Sequence, residues 1–276
     1  MTTTSADRDR VARRPPAAFT RGLAAAGLPD VAADADPVAE EDLAGLPEPV
    51  GRYLRAMGVA GRPRTRSLQA HLRGWFRRGP QGWWMPCEAW QYNGAEEIAR
   101  LFRMRLLVAG LVPMWGWDTY RSGNGRMRGK LLGVLPVADG SGPEFDTGEL
   151  VTWLNDAVLM APGMLLDPRV TWAATGEDSF RVRLTDAGRT VSAEVLLGAR
   201  GRPRDFRTDD RWADLPGGPV RATWSTPVLD WTVRDGRVAL GRACAVWHLP
   251  DGSRLPYADM TVTDLDLDVS PRRAAP

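Results

Sequence analysis

Apolar and polar residues alternate along most of this chain. In SLQAHLRGWF, Leu68, Ala70, Leu72 and Phe76 are separated by mainly polar residues, the period of a strand with one buried face. WWMPCEAWQYN follows, with Gly79–Gly82 between the two runs as a hairpin turn. WGWDTYRSGNGRMRGKLLGVLPV reads as two strands around Ser122–Gly125, a turn rich in glycine and asparagine. Beyond residue 165 the runs VTWAA, SFRVRLTD, RTVSAEVLLG, PRDFRTDD, VRATWSTPVLDW, RVALGRACAVWHL and ADMTVTDLDLDV succeed one another with turn residues between them. That spacing is typical of meandering antiparallel strands. The absence of β–α–β alternation argues against a parallel nucleotide-binding sheet.

The helical period of 3.6 residues surfaces in few places. In LPEPVGRYLRAMGV, Val50, Tyr53, Leu54 and Met57 share one face, with Pro47 placed for a first turn and Gly58 for the C-terminal end. In PEFDTGELVTWLNDAVLMAPGMLL, Asp146 and Glu149 have capping-box spacing and Leu150, Leu154 and Val158 mark one face. Asn155 and Asp156 fall on the other side of that helix and are expected to be exposed. AEEIARLFRMRLLV reads as helix and then strand. The fold class expected is mainly β within α+β, with a few short helices. Residues 1–35 are rich in Ala, Arg, Pro and Asp, and are expected to form a disordered, removable leader. Residues 36–270 are expected to form one domain, a size routine for β folds.

Composition narrows the function without naming it. Hydrophobic residues make up 43% of the 276 residues and charged residues 25%, so a core can be built. Among 36 basic residues Lys130 is the sole lysine, yet 34 acids hold the net charge at +2. Basic and acidic residues are interspersed, which argues against nucleic-acid binding. Cys87 and Cys244 are isolated and read as free buried thiols, and His71 and His248 are the only histidines. No metal site or cofactor is expected from them. The N-terminus lacks the apolar core of a signal peptide and no run reaches a membrane span, so a cytoplasmic location is expected.

Twelve tryptophans are the oddity. They either fill a β core or line an apolar cavity. The candidate site residues are polar groups within aromatic strand runs. Glu88, Trp90 and Tyr92 share a face in PCEAWQY, Asp118 and Tyr120 share one in WGWDTY, Lys130 precedes two leucines, and His248 follows Trp247. In an apolar pocket a carboxyl rises in pKa and a lysine falls, which suits proton transfer. No serine-nucleophile elbow, P-loop or zinc-protease motif is present. Gly123, Gly125 and Gly129 miss the dinucleotide spacing by one residue and read as turn chemistry.

LPEPVGRYLRAMGV, EAWQY, WDTYRSGNGRMRGKLLG, PEFDTGELVTWLNDAVLMAP and AVWHLPDGSRLPYADMTVTDL together resemble, over roughly residues 46–267, an uncharacterised bacterial domain-of-unknown-function family. That family more distantly resembles the half-barrel lipoprotein-carrier superfamily typified by LolA-type proteins. The resemblance implies a curved antiparallel sheet, cupping an acyl-type ligand under helices over 147–161 and 95–104. Three functions follow as expectations. The first is binding of a hydrophobic small molecule, lined by Trp90, Trp117, Trp153 and Trp247 with Asp118, Tyr120, Lys130 and His248 as polar contacts. The second is a cyclase or isomerase on the same cavity, with Asp118, His248 or Glu88 catalytic. The third is a packed interaction module.

Overall fold

The computed structural model describes residues 15–31, 36–215 and 218–271. Three short helices come first: α1 (Ala17–Ala25), α2 (Glu40–Ala44) and α3 (Glu48–Ala56). A meander of six strands follows, β1 (Ser67–Phe76), β2 (Met85–Gly94), β3 (Ala99–Val108), β4 (Val112–Arg121), β5 (Asn124–Leu131) and β6 (Leu135–Ser141). The long helix α4 (Pro143–Met160) leads through a 3₁₀ turn into the second half of the chain. That half holds β7 (Val170–Gly176), β8 (Ser179–Asp186), β9 (Arg189–Leu197), β10 (Pro203–Thr208), β11 (Trp212–Leu215), β12 (Gly218–Arg221), β13 (Thr223–Ser225), β14 (Val228–Arg234), β15 (Arg237–His248) and β16 (Arg254–Leu267).

All strand pairs are antiparallel, and they form one 14-stranded sheet, with β11 and β12 paired separately. Its order is β6-β5-β4-β3-β2-β1-β16-β15-β13-β10-β9-β8-β7, with β14 also on β15. Within the sheet, the strands of the two halves therefore pair only where β1 meets β16. The expected run of antiparallel strands after residue 165, without an α-helix between them, is what forms.

The sheet is open and strongly curved. Helix α4 packs against β4 and β5 on one arm and against β9 and β10 on the other. Laid flat, β4 and β10 would stand roughly 30 Å apart at ~4.8 Å per strand, three times the diameter of a helix. One helix touches both because the sheet curls around it, helped by bulges such as those at His71/Leu72 and Ala245/Val246. Tyr120 on β4 donates to Asp186 on β8 across 2.8 Å, joining the arms.

The core fills the inside of this curl. Leu150, Val151, Trp153, Leu154, Ala157 and Val158 of α4 are all buried. The apolar stripe of α3, Val50, Tyr53, Leu54 and Met57, joins the same core, and Gly58 leaves the helix at φ +74°, a turn only glycine makes cheaply.

Two expectations are corrected here. Residues 15–31 of the expected leader are ordered: Phe19, Leu23 and Leu28 pack with Trp90, Tyr92 and Ala99 on the outer face of β2 and β3. The signal was the i, i+4 pair Phe19/Leu23 set in an otherwise polar and alanine-rich stretch. Residues 1–14 and 32–35 lie outside the described residues. The helix expected over 95–104 does not form. Residues 99–108 are β3, because Arg100, Phe102 and Met104 face inward while Leu101 and Arg103 face outward, a period of two.

Candidate functional site

Helix α4 opens with Pro143 in its first turn, where the missing N–H leaves no bond unmade. Its N-cap is Gly142, so Asp146 is not the cap that the sequence suggests; it binds the backbone N–H of Gly125 and the Arg189 guanidinium instead. Being wrapped by the sheet, α4 is buried on every side from Gly148 to Met160 apart from Thr152. The polar residues expected on an exposed side therefore point into protein.

A buried charge cluster results. Arg100 of β3 donates through Nη1 to Glu149 (2.9 Å) and through Nε to Asp156 (2.8 Å). Gln91 and Asn93, inward neighbours on β2, donate to the same Asp156 oxygen at 2.6 and 3.1 Å. Pairing of this kind is what makes buried charge tolerable. Burial pushes the Glu149 carboxyl up to about 7, helped by Asp118 and opposed by Arg100 and Arg211. Burial also raises Asp118, against the pull of Arg100 and Arg211.

Beside the cluster stands Arg211, half-buried just before β11. Its guanidinium carbon lies 4.4 Å from the Trp224 ring and 5.4 Å from that of Trp247. Trp247 stacks on Tyr257 at 6.0 Å, Trp224 donates to the Tyr257 hydroxyl at 3.0 Å, and Phe76 meets Tyr257 edge-on at 5.7 Å. The Arg211 side chain makes no hydrogen bond or ion pair with another described residue, and neither does Asp118. Thus a cation with five donors and a half-buried carboxyl sit at one end of an aromatic shelf, both without a direct polar partner among the described residues.

The expected site residues separate onto two faces. Asp118, Tyr120, Trp153 and Trp247 are on the inner side. Tyr120 binds Asp186, and Trp153 donates to the Gly94 carbonyl at 3.0 Å. The other five are elsewhere. Trp90 lies under α1, 5.0 Å from the His71 ring. Glu88 accepts from Arg105 and bonds His71, each at 3.1 Å. Trp117 is on the outer face, 5.4 Å from the Arg103 guanidinium. Lys130 is exposed, in register with Trp115. His248 pairs its ring with Ser225 at 2.8 Å. Alternation along each strand separates these residues from the inner set, and reading runs one at a time does not reveal which face is inside.

The space expected beneath α4 is filled by the helix's own side chains. Two small hollows of about 10 and 30 Å³ lie elsewhere, beside Leu28 and Tyr92 and beside Met57 and Pro63. Small-molecule pockets need ~300 Å³ or more. Phe76, Tyr257 and Met260 are half-buried. Cys87 and Cys244 are free.

The Glu149 shift gives a pH dependence. Below its ordinary value of 4.5 the carboxyl is protonated folded or unfolded; as pH rises towards about 7 only the unfolded chain releases the proton. Its contribution to stability is therefore present below pH 4.5 and lost by about 7, by roughly 3 kcal/mol. Asp118 acts in the same direction. Urea unfolding between about pH 5 and 8 should show stability falling as pH rises, and Glu149→Gln should flatten that slope. An equal slope in the variant would assign the effect to other groups.

Residues 36–260 match the profile of the Family of unknown function (DUF6544). No curated protein matches the chain. Similar solved structures include a putative outer membrane lipoprotein-sorting protein domain from Vibrio parahaemolyticus, 11% identical over 73% of this chain and 85% of that one, with a TM-score of 0.40. A DUF1329 family protein from Desulfovibrio piger is 11% identical over 85% and 95%, at 0.37. A LolA superfamily protein from Nitrosomonas europaea is 10% identical over 78% and 91%, also at 0.37.

Proposed function

We propose that this chain, which belongs to the family of unknown function DUF6544, binds an amphipathic, acyl-type small molecule on the inner face beside α4. The apolar body lies along Trp247, Tyr257 and Phe76, and an acidic head group takes Arg211. The observation that carries this reading is the Arg211 guanidinium, half-buried on two indole rings and within electrostatic reach of Asp118 and Glu149, but with no hydrogen bond or ion pair to a described residue. Stacking holds such a cation in place and leaves its N–H groups for a carboxylate, which it binds in a fork.

A fluorescent polyene fatty acid and its methyl ester test this. The acid should bind and quench tryptophan emission. Arg211→Gln should weaken acid binding by about tenfold or more, the worth of a charged hydrogen bond, and leave ester binding unchanged. No binding of either probe, or equal binding of the acid by parent and variant, refutes the proposal and leaves a packed module.

A second reading places chemistry on the same ligand. Of the three carboxyl and histidine candidates, only Asp118 is on this face. It is half-buried, raised in pKa and without a bonded partner among the described residues, properties that suit a general acid. Conversion of a bound apolar substrate that Asp118→Asn abolishes, with binding retained, would select this reading over simple binding.

A further inference from the structure

The antiparallel meander sets three hairpin turns side by side at one end of the sheet: β1–β2, β3–β4 and β5–β6. The register fixes this, with Phe76 opposite Met85, Val108 opposite Val112 and Leu131 opposite Leu135. The three turns present large apolar side chains to solvent. Trp83 is 88% exposed in the first, Leu111 83% in the second, and Val134 76% in the third, where Leu132 is exposed as well. Exposed apolar residues scattered singly need no explanation, but a cluster of them does.

The other end of the same meander differs. Its turns carry Glu96 and Glu97 between β2 and β3, with Ala95 and Ile98 buried, and Ser122 and Gly123 between β4 and β5. The apolar end is also basic. Residues 77–84 include Arg77 and Arg78, residues 130–137 include Lys130, and neither these segments nor 109–111 contain an Asp or Glu. The β15–β16 turn at the same end adds Asp251, bonded to Ser253, and Arg254 at the start of β16, which offset each other.

The turns form a fixed row rather than loose loops. Leu132 N–H binds the Pro113 carbonyl at 2.8 Å, and Arg77 N–H binds the Tyr257 carbonyl at 2.8 Å. The Arg77 guanidinium covers the Trp84 ring at 4.9 Å. Six adjacent strands make this row about 24 Å long.

We propose that this row of turns docks the protein on an anionic lipid bilayer. Trp83, Leu111, Leu132 and Val134 enter the boundary between head groups and acyl chains, and Arg77, Arg78 and Lys130 lie at the phosphates. Tryptophan and aliphatic side chains beside Lys and Arg are what such a boundary stabilises. An acid-free row of three cations is complementary to the surface charge.

Co-sedimentation with vesicles tests it. Vesicles of phosphatidylcholine with about one-third phosphatidylglycerol should carry the protein down, and high salt should weaken this. A triple change of Trp83, Leu111 and Val134 to serine should weaken binding at least tenfold. It should leave the melting temperature unchanged, because these side chains are exposed. Arg77→Gln with Arg78→Gln and Lys130→Gln should weaken it roughly a hundredfold on anionic vesicles and little on neutral ones. In the bound protein, lipid-borne quenchers should reach Trp83, an effect lost in Trp83→Phe. The proposal falls if the parent protein stays in the supernatant, or if both triple variants sediment like the parent. It also falls if the serine variant loses only a concentration-dependent dimer while no form binds vesicles, since the row would then be a contact between copies.

Discussion

Replacing Arg100 by methionine should remove about 3–5 kcal/mol of stability, because Glu149 and Asp156 would be left buried without their cation. Urea unfolding is the measurement. Adding Glu149→Gln and Asp156→Asn should return much of the loss, since the buried charges are then gone and Gln91 and Asn93 can still bond an amide at position 156. A loss below about 1 kcal/mol, the worth of a surface ion pair, would show that water reaches the cluster. The rescue separates charge burial from simple loss of packing, which the added amides would not repair.

Trp153→Ala is expected to cost about 3–5 kcal/mol as well, the range for removing a large buried aromatic. The indole is 1% exposed and its N–H satisfies the Gly94 carbonyl at the end of β2. Trp153→Phe should cost less, keeping most of the volume and losing the hydrogen bond. Read from sequence, Trp153 is a ligand-lining residue. Its burial and its bond to Gly94 argue for a core role, and an unchanged unfolding midpoint in Trp153→Ala would overturn that.

Much of the architecture was legible because strands advertise themselves by a period of two, and about half of the described residues are strand. Helix α3 was legible through Val50, Tyr53, Leu54 and Met57. What was not legible is which face of each strand turns inward when the sheet curls. Trp90 and Trp117 look as eligible for a cavity as Trp247, yet the first two are on the outside. The same gap hid the fate of α4. A helix with Glu149, Asn155 and Asp156 reads as amphipathic when half of it is assumed to meet water; enclosed by both arms of the sheet, it meets none on that side. Arg100 and Arg211 carried no local signal at all. They are two arginines in a chain whose basic residues are almost all arginine, and only tertiary neighbours distinguish them: two carboxylates for one, two indole rings for the other.

The pairing of β1 with β16 has a consequence in time. Leu68 lies opposite Leu267, so the strand that completes β1 is nearly the last described part of the chain to be synthesised. At about 5–20 residues per second, β1 leaves the ribosome roughly ten to forty seconds before its partner exists. Through that interval the six-strand meander can form, but its β1 edge offers a row of unpaired N–H and C=O groups, the template for pairing with another chain. Side chains on the β1 outer face answer this hazard. Arg73 and His71 put polar or charged groups on the strand whose edge is open. The nascent chain thus carries half a sheet with an open seam until residues 254–267 emerge and close it.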